Sequence, residues 1–318
     1  MKRVFMLPAL LLTVMSSFLF VSCDNEDEPT PSTPNIVEFA QGDANFSLLV
    51  DAVIKAELVD VLSGNGPFTL SAPTNTAFQA FLDAAGTNTI ENTPKDILVQ
   101  VLTNHVIAGE FLSSSLSTGY QTTLSATAFG NDINANIYIN TDNGVTINGQ
   151  SDVVTPDVTV SNGVIHVIDA VIAPPTVVTF ATADPNFSSL VAALTATGLN
   201  TDFVNVLSGA GPFTVFAPNN AAFQALLDSN PDWNTVADIP VATLEAVLLY
   251  HVANGNVRST DLVDDMEVTT LSNDAKFEID LDQNPPMIMA GSNTANIVVT
   301  DVQTQNGVIH VIDTVILP

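Results

Sequence analysis

Residues 162–174 read Asn-Gly-Val-Ile-His-Val-Ile-Asp-Ala-Val-Ile-Ala-Pro, and residues 306–318 repeat eleven of these thirteen positions. A second stretch, Val-Leu-Ser-Gly-Asn-Gly-Pro-Phe-Thr at residues 61–69, recurs at residues 206–214 with eight of nine positions identical. A repeat separated by about one domain length predicts two similar domains rather than a solenoid of small units. The Pro174-Pro175 pair marks the boundary, so we expect one domain over 35–174 and a second over 176–318.

Each copy has the pattern of an α+β domain. An amphipathic helix is predicted at the start of each copy, around Phe46 and around Phe187, where apolar residues recur at helical spacing. A strand follows a Gly-Pro turn, and a second helix ends near a histidine. The second half alternates like a hairpin, and each copy closes with a nearly continuous apolar strand, predicted over 163–172 and 307–317. Such a strand is expected to be covered on both faces.

Three motifs in each copy, taken in order, resemble the fasciclin domain. They are the segment Phe-Thr-x-x-Ala-Pro-x-Asn-x-Ala-Phe, a Tyr-His pair, and the closing strand Asn-Gly-Val-Ile-His-Val-Ile-Asp. The resemblance covers residues 35–318 and implies a compact β-sandwich or wedge with several helices packed on it. The second copy matches the middle motif with Tyr250-His251, whereas the first copy has Asn104 where the family pattern has Tyr.

The charge of the chain is strongly one-sided. It has 34 acidic and 6 basic residues in 318, a formal net charge of −28, with 46% hydrophobic residues. So few cations exclude phosphate-based binding of nucleic acid and a polybasic membrane site. The apolar fraction is sufficient for real cores, so the chain is not disordered as a whole.

The N-terminal segment has the pattern of a targeting sequence. Lys2 and Arg3 precede an apolar run over residues 4–21, followed by Ser22 and the single cysteine, Cys23. A transmembrane helix is one interpretation of this run. The end of the run instead resembles the lipobox of bacterial lipoproteins, which implies a signal peptide over 1–22 and lipidation of Cys23.

An acidic and proline-rich stretch follows over residues 23–34. Like charges and prolines favour an extended tether between a lipid anchor and the folded body. Acidic residues directly after the cysteine resemble the surface-export signal of Bacteroidetes lipoproteins. We therefore expect an envelope lipoprotein of the outer membrane that is exposed at the cell surface and contacts the bilayer through acylated Cys23.

The four histidines occupy two equivalent positions in each copy. His166 and His310 lie inside the closing strands, between apolar neighbours, and we expect them to be buried structural residues that form hydrogen bonds. Asp169 and Asp313 follow three positions later, which places them on the opposite strand face. A His-Asp pair within one strand is therefore not expected, and no nucleophile elbow or phosphate loop occurs in the sequence.

No metal or cofactor site is predicted. No two histidines have zinc-ligand spacing. Residues 280–284 begin like a calcium-binding loop, but Pro285 stands where that loop needs glycine. We interpret Phe277 to Leu281 as a strand with an acidic outer face.

Tyr250, His251 and His105 are the candidate partner-binding residues. In animal fasciclin domains the corresponding pair is implicated in receptor binding, and a tyrosine at a helix end beside a turn could be half exposed. The resemblance therefore implies a contact surface around these three residues.

Three functions fit the sequence. The first is a non-enzymatic adhesion or extracellular-matrix module that binds a polysaccharide, a matrix protein or another cell surface. The second is an accessory binding protein for a small apolar or sugar ligand, for which a pocket lined by apolar and aromatic side chains would be diagnostic. The third, a hydrolase, requires converging acidic residues that the sequence does not show. We rank adhesion first and enzymatic activity last.

Overall fold

The computed structural model describes residues 33–273 and 275–318. In this part of the chain the duplication predicted from the sequence is present as two copies of one α+β fold, which we call domain 1 (35–174) and domain 2 (176–318). The helices of domain 1 are α1 (Ile36–Gly42), α2 (Ser47–Lys55), α3 (Val59–Leu62), α4 (Asn75–Ala84) and α5 (Lys95–Asn104). Those of domain 2 are α6 (Val177–Ala183), α7 (Ser188–Leu194), α8 (Phe203–Leu207), α9 (Asn220–Asp228) and α10 (Val241–Tyr250).

Each domain has one mixed sheet. The strands of domain 1 are β1 (Phe68–Pro73), β2 (Val106–Ala108), β3 (Gly119–Thr127), β4 (Gly130–Asn140), β5 (Thr146–Ile147), β6 (Ser151–Val160) and β7 (Gly163–Ile168). Those of domain 2 are β8 (Phe213–Pro218), β9 (Val252–Asn254), β10 (Met266–Thr269), β11 (Lys276–Asp280), β12 (Met287–Met289), β13 (Thr294–Gln303) and β14 (Gly307–Ile312). The strand orders are β2-β1-β7-β6-β5-β4-β3 and β10-β11-β12-β13-β14-β8-β9.

The closing strand of each domain is central in its sheet. Strand β7 is parallel to β1 and antiparallel to β6, and β14 is parallel to β8 and antiparallel to β13. Every residue of β14 is buried, as are five of the six residues of β7. The expectation of coverage on both faces is confirmed.

The predicted length of the closing strands is wrong. They end at Ile168 and Ile312, because the next residue, Asp169 or Asp313, accepts a hydrogen bond from the backbone of the preceding strand and the chain leaves the ladder there. The following apolar residues, which include Ile172 and Ile316, are buried without strand pairing. The apolar character of the residues after each closing strand therefore reflects their burial and not a continuation of the strand.

The Asn-Gly that begins the closing motif connects several parts of the domain. The side chain of Asn306 accepts a hydrogen bond from Val177 N (3.0 Å) at the start of α6 and donates to Leu207 O (2.7 Å) and Gly209 O (2.8 Å). A Cβ on Gly307 would overlap the carbonyl of Phe213 on the neighbouring strand, so only glycine fits. Asn162 and Gly163 play the same parts in domain 1.

Some of the helices agree with those predicted from the sequence, and others were not predicted. Helices α5 and α10 end next to His105 and His251, as predicted, and α2 and α7 correspond to the predicted opening helices. The additional helix α1 was not predicted. It begins with a capping box in which Asn35 and Glu38 satisfy each other's backbone N–H groups.

Candidate functional site

His105 and His251 lie in the interior, each at the C-terminal end of a helix. In domain 2, His251 Nδ1 donates to Val247 O (2.7 Å), and Nε2 accepts from Ile316 N (3.1 Å). In domain 1, His105 makes the matching bonds to Val101 O (2.7 Å) and Ile172 N (2.9 Å). Each imidazole therefore connects a helix end to the buried segment that follows the closing strand.

Burial keeps both of these imidazoles neutral. It lowers the pKa of His105 and of His251 to about 4 from the ordinary value of 6.5, although the bond to the helix carbonyl acts in the opposite direction. The exposed fractions are 1% and 3%. Neither ring is available to a partner at the surface.

Tyr250 is also buried, with 1% of its surface exposed. The sequence-based expectation of a half-exposed tyrosine is wrong, because the hydroxyl reaches across the core and donates to Lys276 O (2.8 Å) while the ring packs edge-on against Phe277. Asn104 stands in the same place in domain 1 and donates to Ile172 O (3.2 Å). Tyr250, His251 and His105 therefore form internal connections and not an exposed contact surface.

His166 and His310 are buried in the closing strands, where the sequence analysis expects them. His166 Nε2 donates to Phe111 O (2.9 Å), and Nδ1 accepts from Asp157 N (3.2 Å). His310 makes the same pair of bonds to Val257 O (2.9 Å) and Asp301 N (3.4 Å). Burial lowers the pKa of His310, while the nearby Asp301 acts against this shift.

The acidic neighbours of these two histidines were missed by the sequence analysis. Asp157 and Asp301 occupy β-bulges with positive φ angles of 63° and 59°. Asp157 accepts hydrogen bonds from Ser113 N (2.7 Å) and Ser113 Oγ (2.5 Å), and these bonds hold its pKa below the ordinary value. The available signal was an Asp-Val pair that precedes the histidine by the same number of residues in both copies, Asp157-Val158 and Asp301-Val302. The bulge that joins Asp and His is not visible in the sequence.

This Ser, Asp and His arrangement differs from a catalytic triad. In a triad the histidine stands between acid and nucleophile. Here the hydroxyl of Ser113 donates to Asp157, and both ring nitrogens of His166 are engaged by backbone groups. The group fixes a loop to the bulged strand. Within residues 33–273 and 275–318, no group of three or more His, Cys, Asp or Glu side chains is arranged to hold a metal ion.

The two domains meet at a specific interface, and both belong to one compact unit over 34–318. Tyr120 and Tyr138 face each other across strands β3 and β4 of domain 1, with ring centroids 5.1 Å apart. Tyr120 also packs edge-on against Phe180 of domain 2 and donates its hydroxyl proton to Asp184 Oδ2 (2.9 Å). Asp184 is only 5% exposed, so the hydrogen bonds that its carboxylate accepts must offset the cost of removing the charge from water.

The environment of this interface alters the titration of both tyrosines. Burial and the adjacent carboxylate of Asp184 raise the pKa of Tyr120 far above its ordinary value and that of Tyr138 to about 12. Further bonds cross between the domains, from Gln303 N to Asn136 Oδ1 (2.7 Å) and from Gln100 Nε2 to Gln305 Oε1 (2.7 Å). These contacts hold the two domains in a defined arrangement.

The equivalent face of domain 2 has different chemistry. Strands β10 and β11 place Glu267 opposite Glu278, just as β3 and β4 place Tyr120 opposite Tyr138. The next residues on the inner face establish which positions correspond, because Ile139 pairs with Ile147 in domain 1 and Ile279 pairs with Ile288 in domain 2. Glu278, directly before Ile279, therefore corresponds to Tyr138, directly before Ile139. In domain 1 this face contacts domain 2, whereas the corresponding face of domain 2 is acidic and exposed.

The four cationic side chains in the described ranges are all engaged within the chain. Lys95 pairs with Glu57, Arg258 with Asp261, and Lys276 with Glu267. Lys55 donates to two backbone carbonyl groups. The acidic side chains greatly outnumber these cations, so the surface has an uncompensated negative charge.

These features define a tandem pair of one α+β domain type. The family model described as "Fasciclin domain" matches residues 44–174 and 185–318. The chain belongs to the fasciclin domain family.

Comparisons with individual proteins agree with this assignment. The chain is 41% identical over 146 residues to protein sll1483 of Synechocystis sp., covering 46% of this chain and 77% of that protein. It is 29% identical to human periostin over 83% of this chain and 30% identical to the pig transforming growth factor-beta-induced protein ig-h3 over 90%. The matches span only 30% and 38% of those two relatives.

A solved structure shows the same fold. It is a domain pair from the insect cell adhesion molecule Fasciclin I, and it matches with a TM-score of 0.51 and 19% sequence identity over 84% of this chain and 95% of that chain. The prediction of two tandem fasciclin-like α+β domains is confirmed. None of the helices in the described ranges combines the length and apolar character that a bilayer crossing requires.

Proposed function

We propose that the chain is a non-enzymatic adhesion or extracellular-matrix interaction protein, displayed on the cell envelope by a lipid anchor. Fasciclin-domain proteins are generally adhesion-related and non-enzymatic, which supports the first part. The Val21-Ser22-Cys23 sequence after an apolar run supports cleavage of residues 1–22 and acylation of Cys23. These residues, and most of the tether over 23–34, lie outside the part of the chain that the structure describes.

The observation that carries the proposal is the fixed interface between the domains. Tyr120, Phe180 and Asp184 join them through aromatic packing and a buried hydrogen bond. Two domains of one fold, held in one geometry, present their exposed faces at a constant spacing. A repetitive partner such as a polysaccharide, a matrix protein layer or another cell surface would gain avidity from such a spacing.

The burial of the histidines changes how the candidate binding residues would act. We propose that Tyr250, His251 and His105 influence binding indirectly, by holding the helix ends and the segments that follow the closing strands. The contact itself would be made by exposed faces of the two domains, where the excess of acidic side chains is concentrated. Partners with basic surfaces would be favoured over acidic ones.

Cys23→Ser is the direct test of display. Cells that produce the full chain would be compared with cells that produce the Cys23→Ser variant, for retention on arrays of glycans and matrix proteins. Mass spectrometry of the native protein should show acylated Cys23 at the mature N-terminus. Equal retention of both cell types, an intact Met1, or an absence of binding by the displayed chain would each contradict the proposal.

The second candidate function, an accessory binding protein for a small ligand, is favoured by one specific observation. Domain 2 contains a cavity of about 410 Å³ that falls within the size range of small-molecule sites. It is lined by small hydroxyl-bearing and aliphatic residues. The ligand that fits it follows from comparison with domain 1.

A further inference from the structure

The cavity of domain 2 lies between α7, the segment 235–239 and the start of α10. Its wall has small residues on the α7 side and apolar residues at its base. The residues that the argument uses are Ser189, Ala192, Ala196, Val236, Ala237 and Leu244.

In domain 1 a lysine side chain crosses the equivalent space. Lys55, the last residue of α2, donates from Nζ to Ile90 O (2.8 Å) and to Glu91 O (2.7 Å). These two backbone carbonyl groups form a binding site for an ammonium group, and the butyl chain of the lysine leads to it. Ammonium has three donors and no acceptor, so paired carbonyl oxygens suit it.

The two domains can be aligned at this site from their internal contacts. Phe46 and Phe187 are the buried residues directly before α2 and α7. The same number of residues separates Lys55 from Phe46 and Ala196 from Phe187, so Ala196, just beyond the end of α7, corresponds to Lys55 at the end of α2. Across the gap, Thr93 N donates to Ile90 O (3.1 Å), and Ile239 N donates to Val236 O (3.2 Å) in the same way. Val236 and Ala237 therefore correspond to Ile90 and Glu91.

Domain 2 keeps the backbone of this ammonium site and lacks the side chain that occupies it. Ala196 replaces Lys55, and within α7 Ser189 replaces Leu48 and Ala192 replaces Asp51. Each replacement is smaller, which accounts for the open volume. Val236 and Ala237, which correspond to the two residues whose carbonyl groups accept from Lys55, both line the cavity.

We propose that this cavity binds a primary alkylammonium group, with the ammonium on the carbonyl oxygens of Val236 and Ala237 and the alkyl chain against Leu244. Ser189 also lines the cavity, and its hydroxyl would be a third acceptor. The negative surface potential of the chain favours a cation over an anion or a neutral ligand. The group comes either from a free aliphatic amine or from a lysine side chain of a partner, which share this chemistry.

This inference does not rest on the proposed adhesion function, because it concerns a site within one domain. The test titrates the full chain with n-pentylamine, with its neutral analogue n-pentanol, and with N-acetyl-lysine N-methylamide. Binding is followed by calorimetry and by the fluorescence of Trp233, the single tryptophan, which precedes the cavity-lining segment. We expect saturable binding of pentylamine at millimolar concentration and about tenfold weaker binding of pentanol, because charge-assisted hydrogen bonds are lost.

Ala196→Lys restores the residue type of domain 1. The new lysine side chain should donate to the two carbonyl oxygens and so abolish pentylamine binding. Thr195→Lys is the matched control, because it adds the same charge at the exposed neighbouring position. Ser189→Leu, which copies Leu48, fills the cavity from another side and provides a second test that adds no charge. Binding should survive in Thr195→Lys and be lost in the other two variants.

The lysine analogue distinguishes the two sources. Tighter binding of the analogue indicates a lysine of a partner protein, whereas tighter binding of pentylamine indicates a free amine, and both outcomes support the ammonium site. The proposal is overturned if wild type binds neither amine, if pentanol binds as well as pentylamine, or if both cavity-filling variants still bind.

Discussion

Acid should destabilise domain 2 through His251, and the size of the effect follows from its burial. The unfolded chain has an ordinary histidine pKa of 6.5, whereas the folded protein holds the pKa of His251 at about 4. The unfolded state therefore binds a proton more readily, and the stability present above pH 6.5 is lost as the pH falls towards 4. Between about pH 7.5 and pH 5 the free energy of unfolding should fall by about 2 kcal/mol from this residue alone.

The assay is urea unfolding of the full chain at these two pH values, followed by the fluorescence of Trp233, which reports on domain 2. In His251→Gln the free energy of unfolding should already be lower at the higher pH, and it should fall by about 2 kcal/mol less on acidification than in wild type. Other titrating groups and the relief of charge repulsion contribute equally to both proteins and cancel in this comparison.

Asn306→Ala provides the matched control. It removes four side-chain hydrogen bonds from the same domain, and so destabilises it, without removing a titratable group. Its pH dependence should equal that of wild type. If His251→Gln and Asn306→Ala show the same pH dependence as wild type, burial does not hold His251 neutral, and the reasoning is refuted.

Three further predictions concern other parts of the chain. His310→Ala should lower the free energy of unfolding of domain 2 by about 1–3 kcal/mol, measured by urea unfolding, because its backbone partners lose their bonds; any partner binding measured under folding conditions should persist. Tyr120→Phe should cost about 1–3 kcal/mol by leaving Asp184 underbonded, and calorimetry should then separate the melting of the two domains; one unchanged transition would contradict this. Glu267→Tyr combined with Glu278→Tyr copies the interface pair of domain 1, and sedimentation velocity should detect more association than in wild type. Equal sedimentation of the two proteins would contradict this.

The fold could be predicted from the sequence because its signals are local and occur twice. The period of the repeat, the apolar closing strand and the helix ends at His105 and His251 each depend on a short stretch of residues. The burial of His166 and His310 follows from their apolar neighbours in the same way. The end of the closing strand was wrong because an apolar run reports burial without distinguishing a strand from a packed loop.

The interface between the two domains and the burial of Tyr250 could not be predicted, because both depend on residues that are distant in the sequence. A tyrosine at a helix end is exposed or buried depending on what the rest of the domain places over it, and here β11 receives its hydroxyl. Tyr120 lies 64 residues from its partner Asp184, in the other domain, so no local pattern connects them. The contrast between Lys55 and Ala196 is visible in the aligned repeats, but its meaning depends on the two carbonyl groups across the gap.

The positions that the two domains share and those at which they differ have different physical roles. The shared histidines and the Asn-Gly of the closing motif are buried and hydrogen-bonded to the backbone, so their substitution acts first on stability. Two of the divergent pairs lie at an interface or a cavity: Tyr138 opposes a second domain where Glu278 faces solvent, and Lys55 occupies a site that Ala196 leaves open. Because both copies satisfy the same fold, these differences are not required by folding, and a search for binding residues should begin with them rather than with the histidines.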